Sequence, residues 1–179
     1  VIPVRGSVHD IFSPGAAVVL LTPLAPAPGP DAGLLEALFD LTPGLDAVWG
    51  YEPSLEAMRE LMKLFAFNHA LVSDDIVVSR YQASIRPGYQ ECYARLFPAP
   101  RQRHIQRLAS SEEALRRLPH RTLVIHGRED RIVPVSCAER LSRLIPRADL
   151  HVFSECGHWT QVEKSAAFGF LVQQFLEET

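Results

Sequence analysis

A chain of 179 residues with an apolar fraction of 47% and a formal charge of −3 carries one domain's worth of ordinary globular core. That charge balance argues against nucleic acid or another polyanion as partner. Lysine occurs only at Lys63 and Lys164 among many arginines, which reads as coding bias and not as a binding surface. Cys92, Cys137 and Cys156 are odd in number and have no Cys-x-x-Cys spacing, so a disulfide framework is not expected and the compartment is read as reducing and cytoplasmic.

Residues 1–43 hold three different patterns. The apolar run at residues 16–21 is far below the ~20 residues of a membrane span, and Asp10 spoils the basic leader of a signal peptide. A buried strand is expected there, and no membrane association. Pro23, Pro26, Pro28 and Pro30 fit neither a helix interior nor a central strand, so residues 23–30 read as an exposed linker. Leu34, Leu35, Leu38 and Phe39 then supply a short helical face.

From Gly44 to Leu118 the pattern predicts helix and turn without strand. Ser54 precedes an amphipathic run with Leu55, Met58, Leu61, Met62 and Phe65 on one face. Ser73 opens a second helix that carries Arg80, and Pro87-Gly88 breaks it. A third piece holds Tyr89, Cys92, Leu96 and Phe97, and a fourth starts at Arg101. The arginines 101, 103 and 107 alternate with Gln102, His104 and Gln106, which fits a wet helix face better than a nucleic-acid patch. Ser110-x-x-Glu113 is a capping-box pattern for a short helix that Pro119 ends.

After Pro119 two short apolar runs, residues 122–126 and 150–154, flank a helical pattern, which predicts a strand–helix–strand unit. Ser136-x-x-Glu139 is a second capping-box pattern, placed to open that helix. A final helix carries Phe168, Leu171, Val172, Phe175 and Leu176 on one stripe. Each strand runs into a glycine-containing turn, and the two turns present Asp130 and His158. Parallel sheets place functional groups just past the carboxyl ends of their strands. The two residues are therefore expected at one rim, a carboxylate placed to orient an imidazole. Asp130 could equally shape its own loop as an Asx-turn residue, and a lone Gly157-His158 could simply close a turn. Their joint spacing favours a general base and its partner. No His-Glu-x-x-His or paired Cys-x-x-Cys spacing is present, so no metal is expected.

Gly127-x-x-Asp130-x-x-x-Pro134, followed by Gly157-His158-Trp159-Thr160-Gln161-x-Glu163, resembles the second half of an α/β-hydrolase. Gly44-Leu45-Asp46-Ala47-Val48-Trp49-Gly50-Tyr51, Arg80-Tyr81-Gln82-Ala83-Ser84 and Arg101-Gln102-Arg103 make it similar to the hydrolases that cut carbon–carbon bonds in the ring-fission products of aromatic degradation. The likeness runs from about Gly44 to the C-terminus. It implies an incomplete α/β fold in three parts: an atypical segment at 1–43, a helical lid at 44–118, and the last strand–helix units of a parallel sheet at 119–179. It implies hydrolysis of a 2-hydroxy-6-oxo-hexa-2,4-dienoate-type compound, such as one like 2-hydroxymuconic semialdehyde, with no cofactor. His158 would be the base, Asp130 its orienter, and Arg80 and Trp159 substrate-binding residues. Arg80 has a solvated reading beside this, and Trp159 and Trp49 a core-packing one. The small-molecule dienoate is the only partner implied, and self-association is left open.

One part of the family pattern is missing. The superfamily carries its nucleophile in a Gly-x-Ser-x-Gly elbow upstream of the acid and the histidine, and no such sequence occurs here. Gly6-Ser7 is the only serine directly after a glycine, without a strand before it or a glycine after it. The complete fold needs about 250–300 residues, close to the limit of a single core, and this chain begins at Val1. A fragment is expected, nearly inactive alone. The other readings are an esterase- or dehalogenase-type hydrolase, or a non-catalytic interaction module.

Overall fold

Three hydroxyl side chains set where the helices of the middle region begin. In the computed structural model, which describes residues 42–96, 98 and 110–178, Thr42, Ser54 and Ser73 each accept a backbone N–H from three residues on. They open α1 (Pro43–Trp49), α2 (Leu55–Phe65) and α3 (Asp74–Ser84), satisfying donors that a helix start leaves unpaired. A single 3-10 turn at His69–Leu71 follows α2, and α4 (Tyr89–Leu96) follows α3. As the patterning predicts, the described residues between 44 and 118 contain no strand.

Helix α2 turns Met58, Leu61, Met62 and Phe65 into a core shared with Val48 and Trp49 of α1, Val77 of α3, and Ile132 and Trp159 from later in the chain. The i, i+3, i+4, i+7 spacing puts these four on one stripe. Leu55, predicted on the same stripe, is 47% exposed, because the first turn of α2 runs past the packed surface. Helix α1 docks directly on the loop that carries Asp130. Thr42 Oγ1 donates to the Ile132 carbonyl at 2.6 Å, and a Cβ on Gly44 would lie 2.0 Å from the Arg131 carbonyl oxygen. Only a residue without a side chain permits that approach.

The later region runs α5 (Glu112–Arg116), β1 (Thr122–Gly127), α6 (Val135–Leu144), β2 (Ala148–Phe153), α7 (Thr160–Glu163) and α8 (Ser165–Glu177). Strands β1 and β2 are adjacent and parallel, with Thr122 opposite Ala148 and Gly127 opposite Phe153, as a helical crossover requires. Phe168, Leu171 and Val172 of α8 pack on Ile125, Phe153 and Cys156. Phe175 instead lies under the Arg121 guanidinium, 4.8 Å from ring centroid to Cζ, and Leu176 is exposed. Glu112 bonds Arg140 at 2.6 Å and Arg116 at 2.7 Å, joining α5 to α6.

Both predicted capping boxes are misplaced. The short helix is capped by Ser111, whose hydroxyl accepts from Ala114 N at 3.2 Å. This register sets Glu112 one turn before Arg116 and opposite Arg140. Helix α6 is capped at Pro134 with no side-chain bond, and Ser136 lies inside its first turn. Proline's fixed φ suits that junction, and its carbonyl accepts from Cys137 N at 2.9 Å. Strand β2 also begins two residues earlier than its apolar run. The strand pattern at 16–21, the helical pattern around Leu34–Phe39 and the helix expected from Arg101 lie outside the described residues. No helix among the described residues is long and apolar enough to cross a membrane.

Met58 is fully buried at the centre of the α2 stripe. Met58→Ala is expected to cost about 2–5 kcal/mol in urea unfolding, the range for large-to-small core changes. Leu55→Ala should stay within about 0.5 kcal/mol of the parent; equal costs at the two positions would contradict the packing described.

Candidate active site

The turns after β1 and β2 meet backbone to backbone. A Cβ on Gly127 would lie 2.0 Å from the Gly157 carbonyl oxygen and 2.4 Å from that of Cys156. Across this contact His158 Nδ1 donates to Asp130 Oδ2 at 2.8 Å, with both side chains almost wholly buried, at 4% and 2% exposed. The other carboxylate oxygen, Oδ1, accepts from Ile132 N at 2.8 Å and Val133 N at 2.9 Å. The two readings of Asp130 therefore coexist: one oxygen builds the Asx turn and the other faces the imidazole. A carboxylate oxygen can only accept here, so Nδ1 carries the proton and a neutral ring keeps its lone pair on Nε2. Nε2 of His158 is buried, and among the described residues it has no hydrogen-bond partner.

His126, at the end of β1, is a second buried imidazole beside the carboxylate. Its Nε2 donates to the Val133 carbonyl at 2.9 Å and lies 3.4 Å from Asp130 Oδ2. Since a carbonyl only accepts, the proton of that ring is on Nε2. His126 thus pins the far end of the Asp130 loop back to the strand from which it leaves.

The His158 turn is bonded from three directions. Cys156 N donates to Glu129 Oε2 at 3.0 Å, Gly157 N to Glu163 Oε1 at 2.7 Å, and His158 N to the Phe65 carbonyl at 2.8 Å. Glu129 N returns a bond to the Cys156 carbonyl at 3.0 Å. Glu155, just before, has φ +52°, a left-handed conformation unfavourable for a residue with a Cβ. Outside partners thus hold a turn whose own backbone preference runs the other way. The Phe65 ring lies 5.3 Å from the His158 ring and stacks with Trp159 at 5.4 Å and 6°. Trp159 is buried in the core cluster, so of its two readings the packing one describes its surroundings.

Arg80 lies in the helical region on α3, half-buried and with Nε shut off from solvent. It shares the inward stripe of Val77, Tyr81 and Ser84, so it is not a freely solvated arginine. Ser84 is buried between the Tyr51 hydroxyl at 3.0 Å and the Tyr81 carbonyl at 2.8 Å. Sequence reading missed His126, Glu129 and Glu163 as partners of the site. Their position in or beside the two motifs, His126 one residue before Gly127 and Glu163 five after His158, marks the region but not the role of each. Cys156, adjacent to the His turn, is no substitute nucleophile. Burial, followed by the nearby Glu163 charge, pushes its thiol up to about 12, and the thiolate is the reactive form.

An α/β arrangement with an acid and a histidine on successive strand-end turns defines a class, and comparison with known proteins agrees. A family model for the alpha/beta hydrolase fold matches residues 16–165, and the chain belongs to that family. The match reaches back beyond Gly44 into the apolar run at 16–21. The chain is 58% identical over 140 residues to the 2-hydroxymuconate semialdehyde hydrolase of Pseudomonas sp. (strain CF600), covering 78% of this chain and 50% of the relative. It is 51% identical over 144 residues to a 2-hydroxy-6-oxo-2,4-heptadienoate hydrolase of Pseudomonas putida, covering 80% and 52%. Among solved structures it resembles a meta-cleavage product hydrolase from Pseudomonas fluorescens IP01, with a TM-score of 0.77 and 55% identity over 78% of this chain and 52% of that one. The chain spans about half the length of these relatives.

Alkylation separates the thiols. At pH 8 a thiol titrating near 12 is thiolate in only ~10⁻⁴ of molecules. Iodoacetamide should therefore label exposed Cys92 and leave Cys156 unlabelled until denaturant is added, as read by peptide mass spectrometry. Rapid native labelling of Cys156 would contradict its described burial.

Proposed function

We propose that this chain is the base-bearing part of a hydrolase that cleaves the carbon–carbon bond of 2-hydroxy-6-oxo-hexa-2,4-dienoate-type ring-fission products. One observation carries the reading: His158 is held through Nδ1 by Asp130 while its buried Nε2 has no partner among the described residues. An imidazole in that state accepts a proton only at Nε2. The names of the relatives supply the substrate class. In the reaction the dienol is ketonised, and an oxygen nucleophile adds to the C6 carbonyl while its proton passes to His158 Nε2. The C5–C6 bond then breaks, its electron pair entering the dienolate carbon, which takes up a proton. Asp130 keeps the ring in one tautomer and stabilises it once charged. Arg80 offers a fork for the substrate carboxylate or enolate. Trp159 contributes through Phe65, which it backs. None of the three cysteines is in a disulfide, which suits the reducing cytoplasm.

The sequence holds no elbow serine, and electrostatic stabilisation opposite the base is usually the largest catalytic contribution, one lost donor alone costing ~10²–10³ in rate. The purified chain should turn over neither a dienoate nor an aryl ester above its His158→Ala control. Steady turnover that disappears in that variant would overturn this view of the nucleophile and point to Ser7. The positive test is a chimera that joins the segment of the Pseudomonas sp. (strain CF600) relative upstream of the matched stretch, where the superfamily carries its elbow, to residues 44–179. Loss of dienoate absorbance should then be catalysed, and His158→Ala or Asp130→Asn should lower the rate by ~10³–10⁴. A folded chimera that cleaves only esters, or is indifferent to His158, would sink the proposal.

A further inference from the structure

Glu163 belongs to the His158 motif, yet the reaction above gives it nothing to do. Its carboxylate lies between two backbone amides from opposite parts of the molecule. Oε1 accepts from Gly157 N at 2.7 Å, and Oε2 accepts from Asn68 N at 2.8 Å. Asn68 follows α2 and caps the single 3-10 turn, its own Oδ1 accepting from Ala70 N. On the same side His158 N donates to Phe65 O. A Cβ on Gly157 would lie 2.6 Å from that carbonyl oxygen and 2.9 Å from Phe67 N. The turn that carries His158 is therefore laid along residues 65–68, with Glu163 as the bridge beyond its glycine.

Asp130 alone does not fix where that turn sits. A hydrogen bond at Nδ1 sets one ring nitrogen, but the imidazole swings with the backbone that bears it. That backbone includes Glu155 in a left-handed conformation, so the turn depends on bonds from outside. Glu129 supplies one of them from the Asp130 loop. Glu163 supplies the side-chain link to the helical region, beside the backbone bond from His158 N to the Phe65 carbonyl. Two amide donors face it, and only a group with two acceptor oxygens satisfies both; glutamine can accept from one and presents its NH₂ to the other.

We propose that Glu163 is a positioning residue: by bridging Gly157 N and Asn68 N it ties the His158 turn to the end of α2, so that the orientation of the imidazole depends on the helical roof. The proposal rests on the reading of His158 as the base. Its test reads the imidazole in the isolated chain, so it stands or falls separately from the activity of the chimera.

The experiment uses the full ¹⁵N-labelled chain, with a His158→Ala spectrum to assign the ring among the histidines. The parent should show His158 protonated at Nδ1, with a slowly exchanging proton and an unprotonated Nε2. In Glu163→Ala and in the shape-conserving Glu163→Gln, that proton should broaden or vanish and the ring should move toward the Nε2–H tautomer. The amides of Gly157 and Asn68 should exchange at least about tenfold faster in Glu163→Ala, as the loss of a charge-assisted hydrogen bond implies. Amides of β1 should keep the parent rates. Glu177→Gln, which removes the same charge on the exposed end of α8, should leave the His158 signals unchanged. Folded Glu163 variants with an unaltered His158 spectrum would overturn the proposal. Loss of the whole fold in both variants would overturn it too, because the carboxylate would then be holding the domain together and not placing one turn.

Discussion

The close approach of two glycine turns is the constraint on which the rest of the site depends. Gly127 and the Cys156–Gly157 backbone touch where any side chain at 127 would collide with two carbonyl oxygens. Parallel pairing of β1 and β2 brings the strand ends level, Gly127 opposite Phe153. The glycines then let the turns beyond them close up until a carboxylate and an imidazole reach 2.8 Å. A side chain at Gly127 would separate the pair before any question of chemistry arose, and one at Gly157 would collide with the backbone of residues 65–67. The same economy of space recurs at Gly44 against Arg131, where α1 is laid on the Asp130 loop.

Polar groups in this buried corner are satisfied in a definite order. Asp130 divides its oxygens between two loop amides and one imidazole. His126 spends its Nε2 proton on a backbone carbonyl. Three successive amides, from Cys156 to His158, each find an acceptor on a different element. Burying such groups unpaired would cost ~1–3 kcal/mol apiece, so the loops are held in these conformations by the partners they would otherwise lack. Against that background the unpartnered Nε2 of His158 stands out among the described residues. On the proposed reading it is the one nitrogen that must stay available.

How much of this was legible follows from which interactions are local. The parallel strands, the helical region and the caps at Ser54 and Ser73 follow from periodicity and from side chains acting within three residues. Asp130 and His158 were legible because glycine turns after apolar runs mark the rim of a parallel sheet. The capping boxes slipped by one or two residues where neighbouring groups were equally eligible: Ser111 beside Ser110, and Pro134 ahead of Ser136. Packing between α5 and α6, not local pattern, decided the first. Glu129, Glu163 and His126 were not legible, since in sequence they look like solvated charges or the end of a strand. Their partners, such as Asn68 for Glu163, lie far off in the chain. Trp159, assigned to the pocket by resemblance, stacks its ring on Phe65 in the core.

The helical region is therefore more than a cover laid over a finished site. Phe65 gives its carbonyl to His158 N and its ring to the imidazole face, and Met58, Met62 and Trp159 hold it in place within one cluster. The same cluster takes in Ile132 from the Asp130 loop, whose carbonyl accepts from Thr42 at the start of α1. Each half of the acid–histidine pair thus has one contact to its own strand end and another to the helices. A shift of the helices against the two strands would move both turns, and a near-attack geometry tolerates little of that, since a misplacement of ~1 Å can cost ~10²-fold in rate. On the proposed reading, orientation of the base is a property of this whole part of the chain. The group on which that orientation would act is the elbow serine of the superfamily, and the sequence holds no Gly-x-Ser-x-Gly.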